Sequence, residues 1–157
     1  MRLKEIKMTE KKAVVHWEGR GKEGTGQIST ETPALDAYPY GFGSRFEDDR
    51  TGTNPEELLA AAHASCFAMA FSFACDKAGY ATEKADITAS VRLTAEGDGF
   101  VIDQIALTLN ARIPGLDEAT FQTLAQGAKA TCPLSKSLAG VKTITLMATL
   151  VGTGSMK

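Results

Sequence analysis

Three cysteines and one neighbouring histidine are the residues whose types and spacing could support covalent chemistry. A cysteine reacts as its thiolate, so its reactivity depends on burial, nearby charge and position on a helix. Cys75 lies nine positions after Cys66. At about 100° per residue, it falls on the opposite side of the same predicted helix. We therefore interpret Cys75 as a small core residue.

The other two cysteines leave two interpretations open. Cys66 lies well inside the predicted helix, where the pattern alone favours another core residue. Cys132 directly precedes Pro133, at the predicted N-cap of a short helix. The helix dipole and free amides at that position favour a thiolate, although cysteine is not a preferred cap residue. A structural and a functional role for Cys132 are equally compatible with this pattern.

His63 lies three residues before Cys66, on nearly the same face of the predicted helix. This spacing raises the possibility of a Cys–His nucleophile pair, but a single helix turn rarely orients such a pair, and no third group is placed to hold the imidazole. Together with Cys132, the two residues could also supply three ligands to zinc. No Cys-x-x-Cys or His-x-x-x-His spacing supports that interpretation, and we expect no metal.

The elements that must position these residues follow from periodicity and from turn signals. They alternate in the order β-β-α-β-β-α-α-β, which predicts an α+β domain whose sheets wrap a long, buried central helix. The predicted strands are 13–18, 26–32, 85–95, 99–110 and 141–150, and the predicted helices are 55–77, 118–130 and 133–140.

Two segments of this pattern carry most of the information. Residues 33–53 are rich in proline and glycine, which predicts a long ordered loop that lines a site or an interface. Asn54 and Pro55 then begin a helix that we expect to end at Lys77, before Gly79. That helix is apolar on most sides, a pattern typical of a helix at the centre of a protein.

Composition bounds the remaining possibilities. A chain of 157 residues predicts one domain over 1–157, with a core at about 12–150. The net charge of −2 argues against nucleic-acid binding. The polar residues His63, Ser65 and Ser72 interrupt the most apolar stretch, so we expect no membrane span. Three cysteines without an apolar signal segment indicate free thiols and a cytoplasmic location.

Four sequence runs resemble the OsmC/Ohr family of hydroperoxide reductases. Two surround the outer cysteines: GTNPEELLAAAHASCF at 52–67 and AKATCPLS at 128–135. The other two, HWEG at 16–19 and PYGFGSRFE at 39–47, are similar to the OsmC branch of the family. The four runs occur in order over most of the chain, and they change the interpretation of Cys66 from a core residue to a reacting thiol.

The resemblance implies a thiol peroxidase with no cofactor. It implies that Cys66 attacks a hydroperoxide and becomes a sulfenic acid, that Cys132 condenses with it to a disulfide, and that an external dithiol, such as a lipoyl-type one, restores both thiols. It also implies that Arg45, held by Glu56, stabilises the thiolate. The expected partners are the hydroperoxide, the dithiol and a second copy of the chain in an intertwined homodimer. Neither nucleic acid nor membrane is expected, and the expected role is stress defence.

Apolar residues near these positions predict the substrate pocket. Phe42, Phe46, Phe67 and Met69 lie close in sequence to the implied catalytic residues, and Tyr40 adds an amphipathic rim. Such walls favour organic hydroperoxides, although hydrogen peroxide stays open as a substrate. The alternative function is a non-enzymatic, dimeric binder of apolar ligands or a redox sensor.

Helix geometry adds one prediction of its own. Glu56 and Cys66 are ten positions apart, which is about 15 Å along a continuous helix. An arginine that bridges a carboxylate and a thiolate needs them within roughly 8 Å. We therefore predict composite active sites, with Cys66 and Cys132 from one chain and Glu56 from its partner, which we also expect to donate Arg45.

Overall fold

The structure is a computed structural model that describes residues 8–152. The described chain falls into two compact units, one ending at Pro55 and the other beginning at Glu56. The elements are β1 (Ala13–Glu18), β2 (Thr25–Thr30), β3 (Tyr38–Gly41), α1 (Phe42–Phe46), α2 (Pro55–Lys77), β4 (Lys84–Glu96), β5 (Gly99–Arg112), α3 (Glu118–Thr131), α4 (Pro133–Ser137) and β6 (Thr143–Leu150). The α+β class is confirmed. A single domain over 1–157 stays a prediction, and its ends lie outside the described residues.

The first unit is an antiparallel sheet in the order β1-β2-β3. The predicted hairpin is confirmed, with Ala13 opposite Thr30 and Glu18 opposite Thr25. The prediction of a loop over 33–53 was wrong in part, because this segment contains β3 and α1. β3 lies at the edge of the sheet, where Pro39 is tolerated although it has no N–H to donate. Proline and glycine therefore concealed a real strand.

Ser44 fastens the short helix α1 to the residues that precede α2. Its hydroxyl donates to the carbonyl of Thr53 at 2.7 Å and accepts from the N–H of Gly41 at 3.0 Å. The side-chain amide of Asn54 donates to the carbonyl of Ser44 at 3.0 Å. These bonds hold the turn of α1 that carries Arg45.

Helix α2 runs without a break from Pro55 to Lys77, as predicted, and Gly79 follows with φ 91°. A left-handed glycine just beyond the last turn is a common helix stop. From His63 onward, the buried residues of α2 recur at every fourth position: His63, Phe67, Phe71 and Cys75. This stripe faces the sheet of the second unit, and Cys75 is fully buried in that core. The interpretation of Cys75 as a core residue is confirmed.

The other faces of α2 are covered little by its own chain. Met69 is 64% exposed and Phe73 is 49% exposed. Within the described residues of one chain, α2 is therefore buried along one stripe only, and a central, fully covered position for it stays a prediction. By length and composition alone, α2 is apolar enough to cross a membrane, because His63, Ser65 and Ser72 do not lower its average hydropathy far enough.

The second unit is built on a three-stranded sheet with β5 in the middle. β4 and β5 form a long antiparallel hairpin, turned at Gly97 with φ 58°, whereas β6 runs parallel to β5. Alternate residues of β5 are buried, as expected for a strand with one covered face. They pack against the stripe of α2 and against α3, and the Phe71 ring meets Phe121 edge-on at 5.8 Å. This core fixes α2 and α3 on one face of the sheet.

The junction of α3 and α4 places Cys132. The Asp117 carboxylate accepts from the N–H of Thr120 at 2.9 Å and begins α3, as predicted. At the other end, Pro133 disfavours helical backbone at the residue before it. Cys132 accordingly has ψ 125°, which ends α3 and turns the chain into α4. α4 ends at Ser137, so the prediction that it reaches about Gly140 was wrong.

Candidate active site

Cys66 and Cys132 lie in direct contact although 66 residues separate them in the sequence. Their sulfur atoms are 3.1 Å apart, and both thiols are free. A disulfide would need about 2.0 Å, so the pair is reduced and within a small movement of bonding. Cys132 is fully buried, whereas Cys66 is half-buried. The structure thus brings together the two cysteines that the sequence singled out.

The thiol of Cys66 is protonated more firmly than an ordinary cysteine. Burial raises the pKa of the Cys66 thiol, and the adjoining Cys132 thiol raises it further. The N–H of Leu134, which bonds to the Cys66 sulfur, acts in the opposite direction and lowers that pKa. A cysteine with a raised pKa is a weak nucleophile at neutral pH, so a further positive group is needed to activate it.

The first free amide of the short helix α4 bonds to Cys66 and not to Cys132, which corrects the expectation from the sequence. Cys132 is the N-cap residue of α4, but its side chain makes no cap hydrogen bond. Pro133 has no N–H, so Leu134 supplies the first free amide of the helix. That amide points to Cys66.

His63 is bound to a serine and not to a cysteine. Its imidazole Nε2 lies 2.8 Å from the Ser135 hydroxyl oxygen, and the side chain is fully buried. Burial lowers the pKa of the His63 imidazole, which favours the neutral ring. Sequence reasoning missed this contact, although each residue lies three positions from a cysteine. That matched spacing is the signal that could have revealed it.

Arg45 and Glu56, the other implied catalytic residues, lie on different elements. Arg45 is exposed on α1, and its guanidinium carbon is 5.3 Å from the centre of the Phe46 ring. Glu56 is buried in the first turn of α2. Because α2 is continuous, Glu56 stands about 15 Å from Cys66 along the helix axis. The premise of the composite-site prediction is confirmed, and the composite site itself stays a prediction.

Two of the predicted pocket residues line a groove in the first unit. Phe42 and Phe46 lie in a groove of about 470 Å³, with ring centres 5.0 Å apart. Trp17 and Tyr40 form another part of its lining, with ring centres 5.6 Å apart. A Cβ atom on Gly26 would overlap the Tyr40 ring, so the tight packing of this wall requires glycine there.

The other two predicted pocket residues lie on α2 and differ in burial. Phe67 is fully buried and stacks on Phe71, with ring centres 6.3 Å apart. Met69 is 64% exposed. Their helical positions differ by about 200°, so one chain does not present both to a common space. Within residues 8–152, no three His, Cys, Asp or Glu side chains converge to form a candidate metal site.

The α+β fold and the contacting thiols define a class of two-cysteine, OsmC-like proteins. Residues 47–147 match the family model described as OsmC-like protein. The chain is 48% identical to peroxiredoxin OsmC of Escherichia coli (strain K12), over 82% of this chain and 89% of that protein. It is 37% identical to the organic hydroperoxide resistance protein of Xanthomonas axonopodis pv. citri (strain 306), over 80% and 86% of the two chains. The chain belongs to the OsmC family.

Solved structures support the same assignment. The crystal structure of the organic hydroperoxide resistance protein OhrB of Bacillus subtilis superposes with a TM-score of 0.66 at 29% identity, covering 88% of this chain and 98% of that one. An organic hydroperoxide resistance protein OsmC from Legionella pneumophila gives a TM-score of 0.65 at 25% identity, covering 88% and 97%. The resemblance identified from the sequence runs is therefore confirmed, together with an α+β, OsmC-like fold.

Proposed function

We propose that this thiol peroxidase reduces organic hydroperoxides to alcohols through Cys66 and Cys132. The contact of their sulfurs at 3.1 Å carries the proposal, because a two-cysteine cycle requires thiols that can bond directly. The hydroperoxide-resistance names of two similar proteins agree with this substrate class. Because the pKa of the Cys66 thiol is raised, this thiol must be activated before it can react at neutral pH.

In the first step, the Cys66 thiolate attacks the terminal oxygen of the hydroperoxide. The S–O bond forms as the O–O bond breaks, and the departing alkoxide takes up a proton to become the alcohol. Cys66 is thereby oxidised by two electrons to the sulfenic acid. The Leu134 N–H, which bonds to the Cys66 sulfur, favours the thiolate that begins this step.

In the second step, the Cys132 sulfur attacks the Cys66 sulfenic sulfur and releases water. The small separation of the two sulfurs supports a fast reaction, since little movement is needed. The product is a Cys66–Cys132 disulfide. Burial of Cys132 also limits access of a second peroxide to that thiol.

In the third step, an external dithiol reduces the disulfide. Cys132 is fully buried, so the incoming thiolate attacks the half-buried Cys66 sulfur and expels the Cys132 thiolate. The second thiol of the reductant then closes its own disulfide and frees Cys66. A compact dithiol, such as dihydrolipoamide or dithiothreitol, has the chemistry for both exchanges.

We also propose that the working unit is a homodimer with composite sites. The apolar faces of α2 that one chain leaves open support association with a second copy. In this arrangement Glu56 of the partner holds Arg45, whose guanidinium stays charged in an apolar pocket and stabilises the Cys66 thiolate. Phe42, Phe46, Phe67 and Met69 are the proposed substrate-pocket residues. A cytoplasmic location, with roles in oxidative and osmotic stress, belongs to the same proposal.

Peroxide consumption with a recycling reductant tests this function. Cumene hydroperoxide and hydrogen peroxide are supplied in separate reactions, each with dithiothreitol or dihydrolipoamide in excess. We expect many turnovers per chain, faster with the organic substrate because of the apolar side chains proposed to line the pocket. Consumption of a single equivalent of peroxide, without recycling, would instead favour an apolar-ligand binder or a redox sensor.

A further inference from the structure

The contact between His63 and Ser135 joins the same two segments as the cysteine pair. His63 and Cys66 are three positions apart on α2, and Cys132 and Ser135 are three positions apart at the start of α4. On α2, that spacing is about 4.5 Å along the axis and roughly one turn. The two segments therefore run antiparallel and meet at two points, a sulfur–sulfur contact and a hydrogen bond of 2.8 Å.

Two contacts fix the orientation of α4 on α2, which a single contact would leave free. A single sulfur–sulfur contact would allow the five-residue α4 to rotate about it, and so short a helix has little packing of its own. Anchoring Ser135 removes that rotation. Leu134 is the residue directly before Ser135, and its N–H bonds to the Cys66 sulfur. The orientation of that amide thus depends on the anchor one residue away.

Burial makes the anchor strong. His63 is fully buried, and its Nδ1 has no hydrogen-bond partner among residues 8–152. The Nε2 bond to Ser135 is therefore the interaction that offsets the burial of this polar ring, and a buried polar group that loses its partner is destabilised. Which of the two groups donates depends on the imidazole tautomer.

We infer that the His63–Ser135 hydrogen bond is a positioning contact, which fixes α4 on α2 and so holds both Cys132 and the Leu134 N–H at the Cys66 sulfur. His63 and Ser135 are positioning residues and take no direct part in the reaction. They act through the orientation of α4, on the ionisation of Cys66 and on its distance from Cys132. The inference rests on the proposed role of Cys66 as the reacting thiol.

Ser135→Ala tests the contact, because alanine removes the hydroxyl and preserves the helix. The readouts are the pH midpoint of Cys66 alkylation by iodoacetamide, measured on the Cys66 peptide by mass spectrometry, and the hydrogen-exchange rate of the Leu134 amide. We expect the midpoint to rise by about one pH unit, since the Leu134 bond to the thiolate weakens. The Leu134 amide should exchange faster, and Ser135→Thr should restore both values.

Ser137→Ala is the matched control. Ser137 lies on the same short helix, but its hydroxyl donates to the Pro133 carbonyl at 2.8 Å, within α4 itself. This variant should leave the midpoint and the Leu134 exchange rate unchanged. If circular dichroism shows that Ser135→Ala has lost the fold, His63→Gln and His63→Leu replace it. Glutamine places an amide nitrogen near Nε2 and should keep the midpoint lower than leucine does.

An unchanged midpoint and exchange rate in Ser135→Ala would overturn the inference, as would equal shifts in Ser137→Ala. Equal midpoints in His63→Gln and His63→Leu would overturn it as well. Because neither readout involves peroxide, its failure is separable from that of the proposed function. If the wild type consumes no peroxide but Ser135→Ala still shifts the alkylation midpoint, the proposed function is refuted and the positioning contact stands.

Discussion

The Cys132 sulfur lies 3.1 Å from the Cys66 sulfur, and this contact acts differently before and after oxidation. Before oxidation, the adjoining thiol helps to raise the pKa of Cys66 and so opposes its ionisation. After oxidation, the same closeness places a second thiol beside the sulfenic acid. The arrangement therefore favours disulfide formation over rapid first attack, and the first attack needs a separate activating group.

Replacing the cysteines one at a time should separate the two steps. We expect Cys66→Ser to abolish peroxide consumption, because a serine hydroxyl does not form the corresponding nucleophile at neutral pH. Cys132→Ser should consume about one equivalent of peroxide in the absence of reductant and accumulate a sulfenic acid. Dimedone labelling followed by mass spectrometry measures that species at Cys66.

Cys75→Ala is the control for both variants. Cys75 is fully buried in the core on the far side of α2, so its loss should leave turnover and dimedone labelling as in the wild type. Turnover by Cys66→Ser at a rate near that of the wild type would remove Cys66 from the mechanism.

Arg45→Ala should make Cys66 harder to ionise. If Arg45 stabilises the thiolate, its removal raises the pKa of the Cys66 thiol further, by about one unit, and slows peroxide attack at neutral pH roughly tenfold. Arg45→Lys keeps the charge but loses the planar guanidinium group, so its Cys66 pKa should lie between those of the wild type and Arg45→Ala. The pH dependence of Cys66 alkylation measures the effect.

Arg50→Ala supplies the matched control for Arg45. Arg50 is an exposed arginine five residues further on, paired with Asp48 at 3.4 Å. Its removal should not move the alkylation midpoint. A wild-type midpoint in Arg45→Ala would mean that another group activates the sulfur.

Mixing two inactive variants tests whether Glu56 acts across a dimer. Cys66→Ser and Glu56→Gln should each be inactive alone. In a mixed dimer, the chain with an intact Cys66 receives an intact Glu56 from its partner, so one of the two sites works. Unfolding and refolding an equal mixture should recover about a quarter of the wild-type activity, since about half of the dimers are mixed.

The opposite result has an equally definite meaning. If Glu56 serves the Cys66 of its own chain, no mixed dimer contains an intact site, and the mixture stays inactive. A mixture of Cys66→Ser with Cys132→Ser is the control. Both cysteines come from one chain in either arrangement, so that mixture should recover no disulfide-dependent turnover.

The sequence predicted the elements of this protein better than the local contacts of its site. Asn54-Pro55 and Gly79 defined the ends of α2 because capping chemistry is local. β3 was missed because an edge strand tolerates Pro39, which local rules assign to a loop. The length of α4 was also overestimated, because turns and short helices favour the same residue types.

The candidate site shows the same division between local and long-range information. The sequence runs indicated that Cys66 and Cys132 form a pair, and the structure places them in contact. The Leu134 amide and the His63–Ser135 bond depend on how α4 sits against α2, which no local pattern specifies. The N-cap argument for Cys132 gains no support from the structure, because its side chain makes no cap hydrogen bond in α4.

His63 gives the folded chain a defined response to acid. Burial lowers the pKa of its imidazole below the ordinary value of 6.5, so the unfolded chain takes up a proton first as the pH falls. Protons bound preferentially by the unfolded state lower the stability of the folded state. Above about pH 6.5, His63 is neutral in both states and the folded chain keeps its full stability. Below that pH, the folded state is progressively destabilised. Asp49, Asp103 and Asp117, whose pKa values are lowered, act only near and below their ordinary value of 3.8.

His63→Gln should therefore flatten the stability profile below about pH 6.5. In the wild type we expect the free energy of unfolding to fall by at most about 1.4 kcal/mol per pH unit in this range, because one extra proton is bound on unfolding. Urea unfolding at a series of pH values measures the slope. His16→Gln is the control, since His16 is exposed beside Glu18. If the slope persists in His63→Gln and disappears in His16→Gln, the acid response comes from His16 and the prediction is wrong.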